Sequence, residues 1–121
     1  AAGVECWICG RRPQPLAETA ALAAPGSAPI HAVPADLRDP EQAARVVAAV
    51  PGNGAGLLVN NAAGTFVALA EEGTSRGWLA VIDASLNAPW HVTSAWGRRR
   101  IAAAASVRRS SRPSGSSHTR R

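Results

Sequence analysis

Leu57-Leu58-Val59-Asn60-Asn61-Ala62-Ala63-Gly64 is the stretch on which the fold turns. From Gly56 the chain is continuously apolar up to Asn60, the pattern of a strand buried on both faces. A strand with one wet face would alternate instead. The residues that follow are small or carry amides. At the carboxyl end of a parallel strand, small residues let a ligand approach the main chain. Asn side chains there can stitch neighbouring strands together. Read alone, Asn60-Asn61 also suits an ordinary turn.

Upstream, residues 4–9 (Val-Glu-Cys-Trp-Ile-Cys) and 30–35 form two more short strand candidates. Between them Leu16, Ala20 and Ala23 recur at helical spacing until Pro25-Gly26 stops the run. Asp39-Pro40-Glu41-Gln42 is a helix start: Asp39 caps, Pro40 suits the first helical position, and Gln42 reaches back as in a capping box. Ala43, Val46, Val47 and Val50 then make one apolar stripe, ended by Pro51-Gly52. Downstream a long helix starts at Ser75, with Trp78, Ile82, Leu86, Thr93 and Trp96 close to one face. Pro89 inside it must kink it or force a local adjustment. Strand and helix alternating three times predict an α/β fold on a parallel sheet, with the helices distributed by right-handed crossovers.

Composition adds bounds. The 121 residues allow one domain, and 27 of the apolar residues are Ala, so the large core formers are thin and the expected stability is marginal. All 13 basic residues are Arg; there is no Met, no Tyr and no Lys, a bias typical of GC-rich coding sequence. Without Met at position 1 the sequence is not expected to begin at a translation start. Residues 1–96 carry a net charge of −3, whereas residues 97–121 hold eight Arg and no acid. No apolar run has the ~20 residues of a membrane span, and the N-terminus lacks a signal-peptide pattern, so a cytoplasmic protein is expected. Cys6 and Cys9 form a C-x-x-C that reads as a redox pair, half a zinc site, or two small buried residues. In a strand, residues three apart point to opposite faces, and only His31, His91 and His118 remain as further ligands. The third reading is expected, and no metal.

A hydrophobic strand ending in Asn60-Asn61-Ala62-Ala63-Gly64 resembles the fourth-strand motif of the short-chain dehydrogenase/reductase family. Gly10-Arg11-Arg12 resembles the family segment that meets the adenosine ribose. A carboxylate there favours NAD; here the guanidinium of Arg11, with Arg12 second, suits a 2′-phosphate, and the resemblance implies NADP over NAD. A solvated basic turn is the plain alternative. Asp36-Leu37 looks like the family's pair in which the Asp lies against the adenine amino group, though Asp36 also suits a turn. Residues 78–95 are similar to the helix after the fourth strand, with Ser85 where many members carry an Asn that helps hold a catalytic lysine. The resemblance runs over roughly residues 3–97. Its candidate cofactor residues are Arg11, Arg12, Asp36, Leu37, Asn60, Asn61, Ala62, Ala63 and Gly64.

The family's first strand and Gly-rich pyrophosphate turn are expected before Ala1, and Gly52-Asn53-Gly54-Ala55-Gly56 is no substitute because it precedes a strand. Family chemistry uses a Ser on the fifth strand and a Tyr-x-x-x-Lys on the next helix, where the lysine lowers the phenol pKa. Without Tyr or Lys, no catalytic residue is assigned. Residues 1–100 are expected to form a partial doubly wound Rossmann-type domain lacking its first strand. Residues 101–121 are expected to be a disordered Arg/Ser-rich tail, the mark of a shifted reading frame. The function implied is hydride transfer between NADP and a small carbonyl, alcohol or enoyl substrate, here without turnover, in a family whose members often form homo-oligomers. Trp78, Trp90 and Trp96 are either interfacial or core. The competing readings are an Arg-rich tail that binds nucleic acid through phosphates, or a non-functional product of a disrupted gene.

Overall fold

The computed structural model describes residues 3–52, 56–65 and 67–110. Its sheet pairs β1 (Cys6–Gly10) with β2 (Ile30–Pro34) in parallel, in register from Cys6 opposite Ile30 to Gly10 opposite Pro34. Parallel strands need a crossover, supplied by α1 (Pro13–Ala21), which opens on a proline whose missing N–H costs nothing in a first turn. Trp7 and His31 are directly paired across the strands and stack at 4.6 Å. His31 Nε2 also meets Glu5 Oε1 at 2.7 Å. Both thiols are free. Cys9 is half-buried, which pushes its thiol pKa up. Cys6, expected to be buried, is exposed, because a sheet of two strands covers little of its own surface.

α2 (Pro40–Ala49) starts where the capping signals put it. The Asp39 carboxylate accepts the Glu41 N–H at 2.9 Å. Gln42 departs from the expected box: its Nε2 donates to Asp39 Oδ2 at 3.0 Å, while its Oε1 accepts the Asp36 N–H at 2.9 Å. The cap is thus tied to the loop that leaves β2. Ala43, Val46, Val47 and Val50 are buried as one stripe.

Residues 57–60 correct the sequence reading. They form no strand among the described residues, and instead of being buried on both faces Leu57 is 78% and Val59 73% exposed. The physical reason is a missing neighbour. Among the described residues the sheet consists of β1 and β2, and neither pairs with residues 57–60. A run with no strand to pair with has nothing to complete its ladder.

The long helix is three pieces: α3 (Ser75–Ile82), a π-helical turn (Asp83–Asn87) and α4 (Ala88–Ser110). Thr74 caps α3 by accepting the Gly77 N–H at 3.1 Å. The local adjustment expected of Pro89 is the π turn, in which the Ala88 N–H bonds Asp83 O five residues back. The extra residue rotates everything before it, so the predicted single stripe does not form. Trp78, Leu86 and Trp90 are more than 60% exposed, and the core alternative fails for Trp78 and Trp90. Trp96 packs on the core of Ala43, Val47 and Val92, together with Leu37, Leu58 and Ala95. Among the described residues the buried core is made of Ala and Val, in keeping with the Ala-heavy composition.

α4 crosses residue 100 without a break and takes in residues 101–110, assigned from sequence to the tail. Ala102–Ala105 supply the best helix former four times over, enough to continue an established helix. Residues 111–121 lie outside the described part. Arg99, counted among the tail's charges, binds α2 instead: its guanidinium donates to Val47 O and, at 2.9 Å, to Gly52 O. No helix among the described residues is long and apolar enough to cross a membrane.

Candidate functional site

The carboxyl ends of β1 and β2 lie side by side, and the chain leaving each strand enters one cleft of about 310 Å³. This is the end of a parallel sheet where ligands bind in open α/β folds, and the volume lies within the usual range for small-molecule sites. From β1 come Gly10 and Arg11; from the end of β2 come Ala35, Asp36, Leu37 and Arg38. Ala62, Ala63, Gly64 and Thr65 close a third side, with Ala80, Val81 and Ala84 behind them. Six of the nine residues expected from sequence therefore meet: Arg11, Asp36, Leu37, Ala62, Ala63 and Gly64. Arg12 stands at the N-terminus of α1, outside the cleft lining. Asn60 and Asn61 line a second cavity and not this one. The Asn60 amide stitches to a helix and not to a strand, donating to Thr93 Oγ1 of α4 at 2.9 Å.

The cleft's electrostatics rest on one tight pair. Asp36 Oδ1 accepts the Arg38 N–H at 3.1 Å and Arg38 Nε at 2.9 Å, while Oδ2 accepts from Nη2. These bonds from Arg38 hold the Asp36 carboxyl down at about 2, with a smaller Coulombic contribution from Arg11. The same contact raises the Arg38 pKa. Asp36 is thus an anion committed to a guanidinium. Two cations and one anion face the cleft, leaving it net positive.

Arg38 is the residue that the sequence reading missed. The available signal was an opposite charge two residues from Asp36, which lets a carboxylate close a local turn on the following main chain. Ser85, singled out from sequence for its place on the helix, has a contact to the loop that the sequence did not indicate. Its hydroxyl accepts the Gly64 N–H at 3.2 Å and donates to Gly64 O at 3.1 Å, pinning the loop to the π turn. Gly64 must itself be small, since a Cβ there would lie 3.0 Å from that of Ala84. That requirement comes from packing against the helix.

Compared with models of known protein families, the chain matches the short chain dehydrogenase family over residues 1–105. It belongs to that family. Members of the short-chain dehydrogenase family are oxidoreductases that bind nicotinamide dinucleotides, and β1, β2 and their helices form part of the corresponding Rossmann-type fold. Arg11 and Arg38 bring two planar guanidiniums to the cleft, which the side chain of Leu37 also lines.

Proposed function

We propose that this chain holds the adenosine half of a dinucleotide, prefers NADP to NAD, and turns over no substrate. What carries the reading is the meeting of Arg11 and Arg38 with Asp36 at one cleft. A 2′-phosphate is a dianion that bidentate guanidiniums suit, whereas an unphosphorylated ribose asks for a carboxylate acceptor. Asp36 is already occupied by Arg38, so its part is to position that guanidinium and to keep the cleft's charge from rising further. This departs from the adenine-facing role that resemblance implies for it. Leu37 and Ala35 present the apolar wall, and Ala62, Ala63 and Gly64 bring main chain to the cleft's far side. When bound, the nicotinamide supplies hydride chemistry. This chain brings neither the phenol nor the ammonium that would move the accompanying proton, since it contains no Tyr and no Lys.

The test is calorimetric titration of the chain with NADPH and with NADH at low salt. The expected NADPH Kd is about 1 mM, equivalent to −4.1 kcal/mol, with NADH about tenfold weaker. Arg38→Gln and Arg11→Gln should each bring the two cofactors close to equal affinity. Equal binding by the unmodified chain removes the NADP preference. No binding of either cofactor removes the site.

A further inference from the structure

α4 divides its arginines between two faces. Arg99 turns inward, where its guanidinium holds the end of α2 through Val47 O and Gly52 O. Successive helical residues lie about 100° apart, so Arg98 and Arg100 turn to either side of that contact. Arg108 comes about two and a half turns after Arg99, which places it on the face opposite α2. Arg98, Arg100 and Arg108 are all exposed. The outward face between them is slender. It holds Gly97, where a Cβ would meet nothing, then the exposed Ile101 and Ala104. No acid follows Gly97 in the sequence, which adds Arg109, Arg112, Arg120 and Arg121.

A run of positive charge with no counter-charge suits a polyanion, and the helix selects which one. A single-stranded nucleic acid asks for aromatic platforms on which bases stack, but Trp96 is spent on the core. An anionic membrane asks for an apolar face opposite the charges, and that face of α4 packs on α2. Duplex DNA asks for a slender helix with guanidiniums at its flanks, because its major groove admits one helix and is about 12 Å wide. Arg98 and Arg108 are separated by ~15 Å along the axis, enough to span that groove. The major groove of an RNA duplex is too narrow to be entered in this way.

We infer that the outward face of α4 binds duplex DNA. The helix lies in the major groove, with Arg98 and Arg100 on the phosphates of one strand and Arg108 on those of the other. Phosphate contacts position the helix and read no sequence. The inference is independent of the dinucleotide reading, because Arg11 and Arg38 lie at the strand ends and take no part in it.

The test follows the fluorescence anisotropy of a labelled mixed-sequence DNA duplex of about twenty base pairs, two helical turns. It is titrated with the whole chain as salt rises from about 50 mM to about 200 mM. Each phosphate contact contributes about 0.9 to the slope of log affinity against log salt, so Arg98→Gln with Arg100→Gln should lower that slope by about 1.8. Arg98→Lys with Arg100→Lys should keep it, since a phosphate contact asks for charge. Ala104→Glu, an acid at an exposed position of the same face, should weaken the duplex independently. An RNA duplex of the same sequence should bind about tenfold more weakly, because its groove does not admit the helix. An unchanged slope in the glutamine variant overturns the proposal and leaves binding to residues beyond the helix. So does absence of binding at the lowest salt, and so does equal affinity for the RNA duplex. Tighter binding to phosphatidylserine vesicles than to the DNA would make a membrane surface the occupant and overturn it as well.

Discussion

At Asp36, a single carboxylate organises one side of the cleft, and its titration is open to measurement. Its folded pKa, about 2, lies below the ordinary 3.8 because Arg38 bonds both oxygens. A depressed carboxylate pKa stabilises the folded state above the unfolded value, and the contribution disappears as pH falls through the folded one. Urea midpoints should therefore decline between about pH 4 and about pH 2, and Asp36→Asn should flatten that part of the profile by whatever Asp36 contributes. An unchanged slope in the variant would mean that the pair does not persist in solution. Gly64 has a sharper requirement. A Cβ there meets Ala84 at 3.0 Å, and the same glycine exchanges two hydrogen bonds with Ser85. Gly64→Ala should cost about 1–3 kcal/mol, the usual range for overpacking. Ala84→Gly, added to it, should recover part of the loss despite the ~1 kcal/mol helix penalty of glycine. Strict additivity of the two changes in a double-mutant cycle would rule out the contact.

Elements differ in how far their own residues determine them. β1, β2 and α2 were legible because each carries its signal locally: short apolar runs for the strands, and Asp39-Pro40 for the helix. Residues 57–60 read as strongly as either strand, yet they form none among the described residues, because a ladder needs a partner that local sequence does not supply. The π turn was legible only as a disturbance at Pro89, and its effect on the facing of Trp78 and Leu86 was not. Replacing the cause tests this account. Pro89→Ala should let α3 and α4 join as regular helix, raising far-ultraviolet helical signal. It should also swing Ser85 away from Gly64, so that exchange of the Gly64 amide accelerates. Arg99 shows a charge misread by composition: in the sequence it is one of eight tail arginines, and in the fold it joins α4 to the end of α2. Arg99→Ala should cost about 1.5–3 kcal/mol, the range for hydrogen bonds to charged groups. Arg99→Lys should recover little of that by urea denaturation, since an ammonium lacks the planar fork that reaches both carbonyls.

At the scale of the molecule, a buried core made of Ala and Val meets a sheet of two strands among the described residues, and both point to low stability. The cleft was legible in part: Arg11, Asp36 and Leu37 lie just past the ends of β1 and β2, which parallel pairing brings together, whereas Ala62–Gly64 follow a run that pairs with neither. Arg38 was not, because its place in the site depends on a carboxylate turn that no periodicity reports. In a chain this marginal, a ligand that binds only the folded state should register first in stability. At ten times its Kd, NADPH should stabilise the chain by about 1.4 kcal/mol through mass action alone. Hydride transfer should not follow. Cofactor consumption, followed at the NADPH absorbance with aldehydes, ketones and enoyl thioesters, should stay at the uncatalysed rate, because binding an adenosine end neither orients a carbonyl nor supplies its proton. The two measurements separate the parts of the reading. Stabilisation without turnover is the outcome expected of Arg11 and Arg38 working in a chain that has no Tyr or Lys. Turnover would require a proton donor other than a Tyr or a Lys, and would overturn that part of the reading.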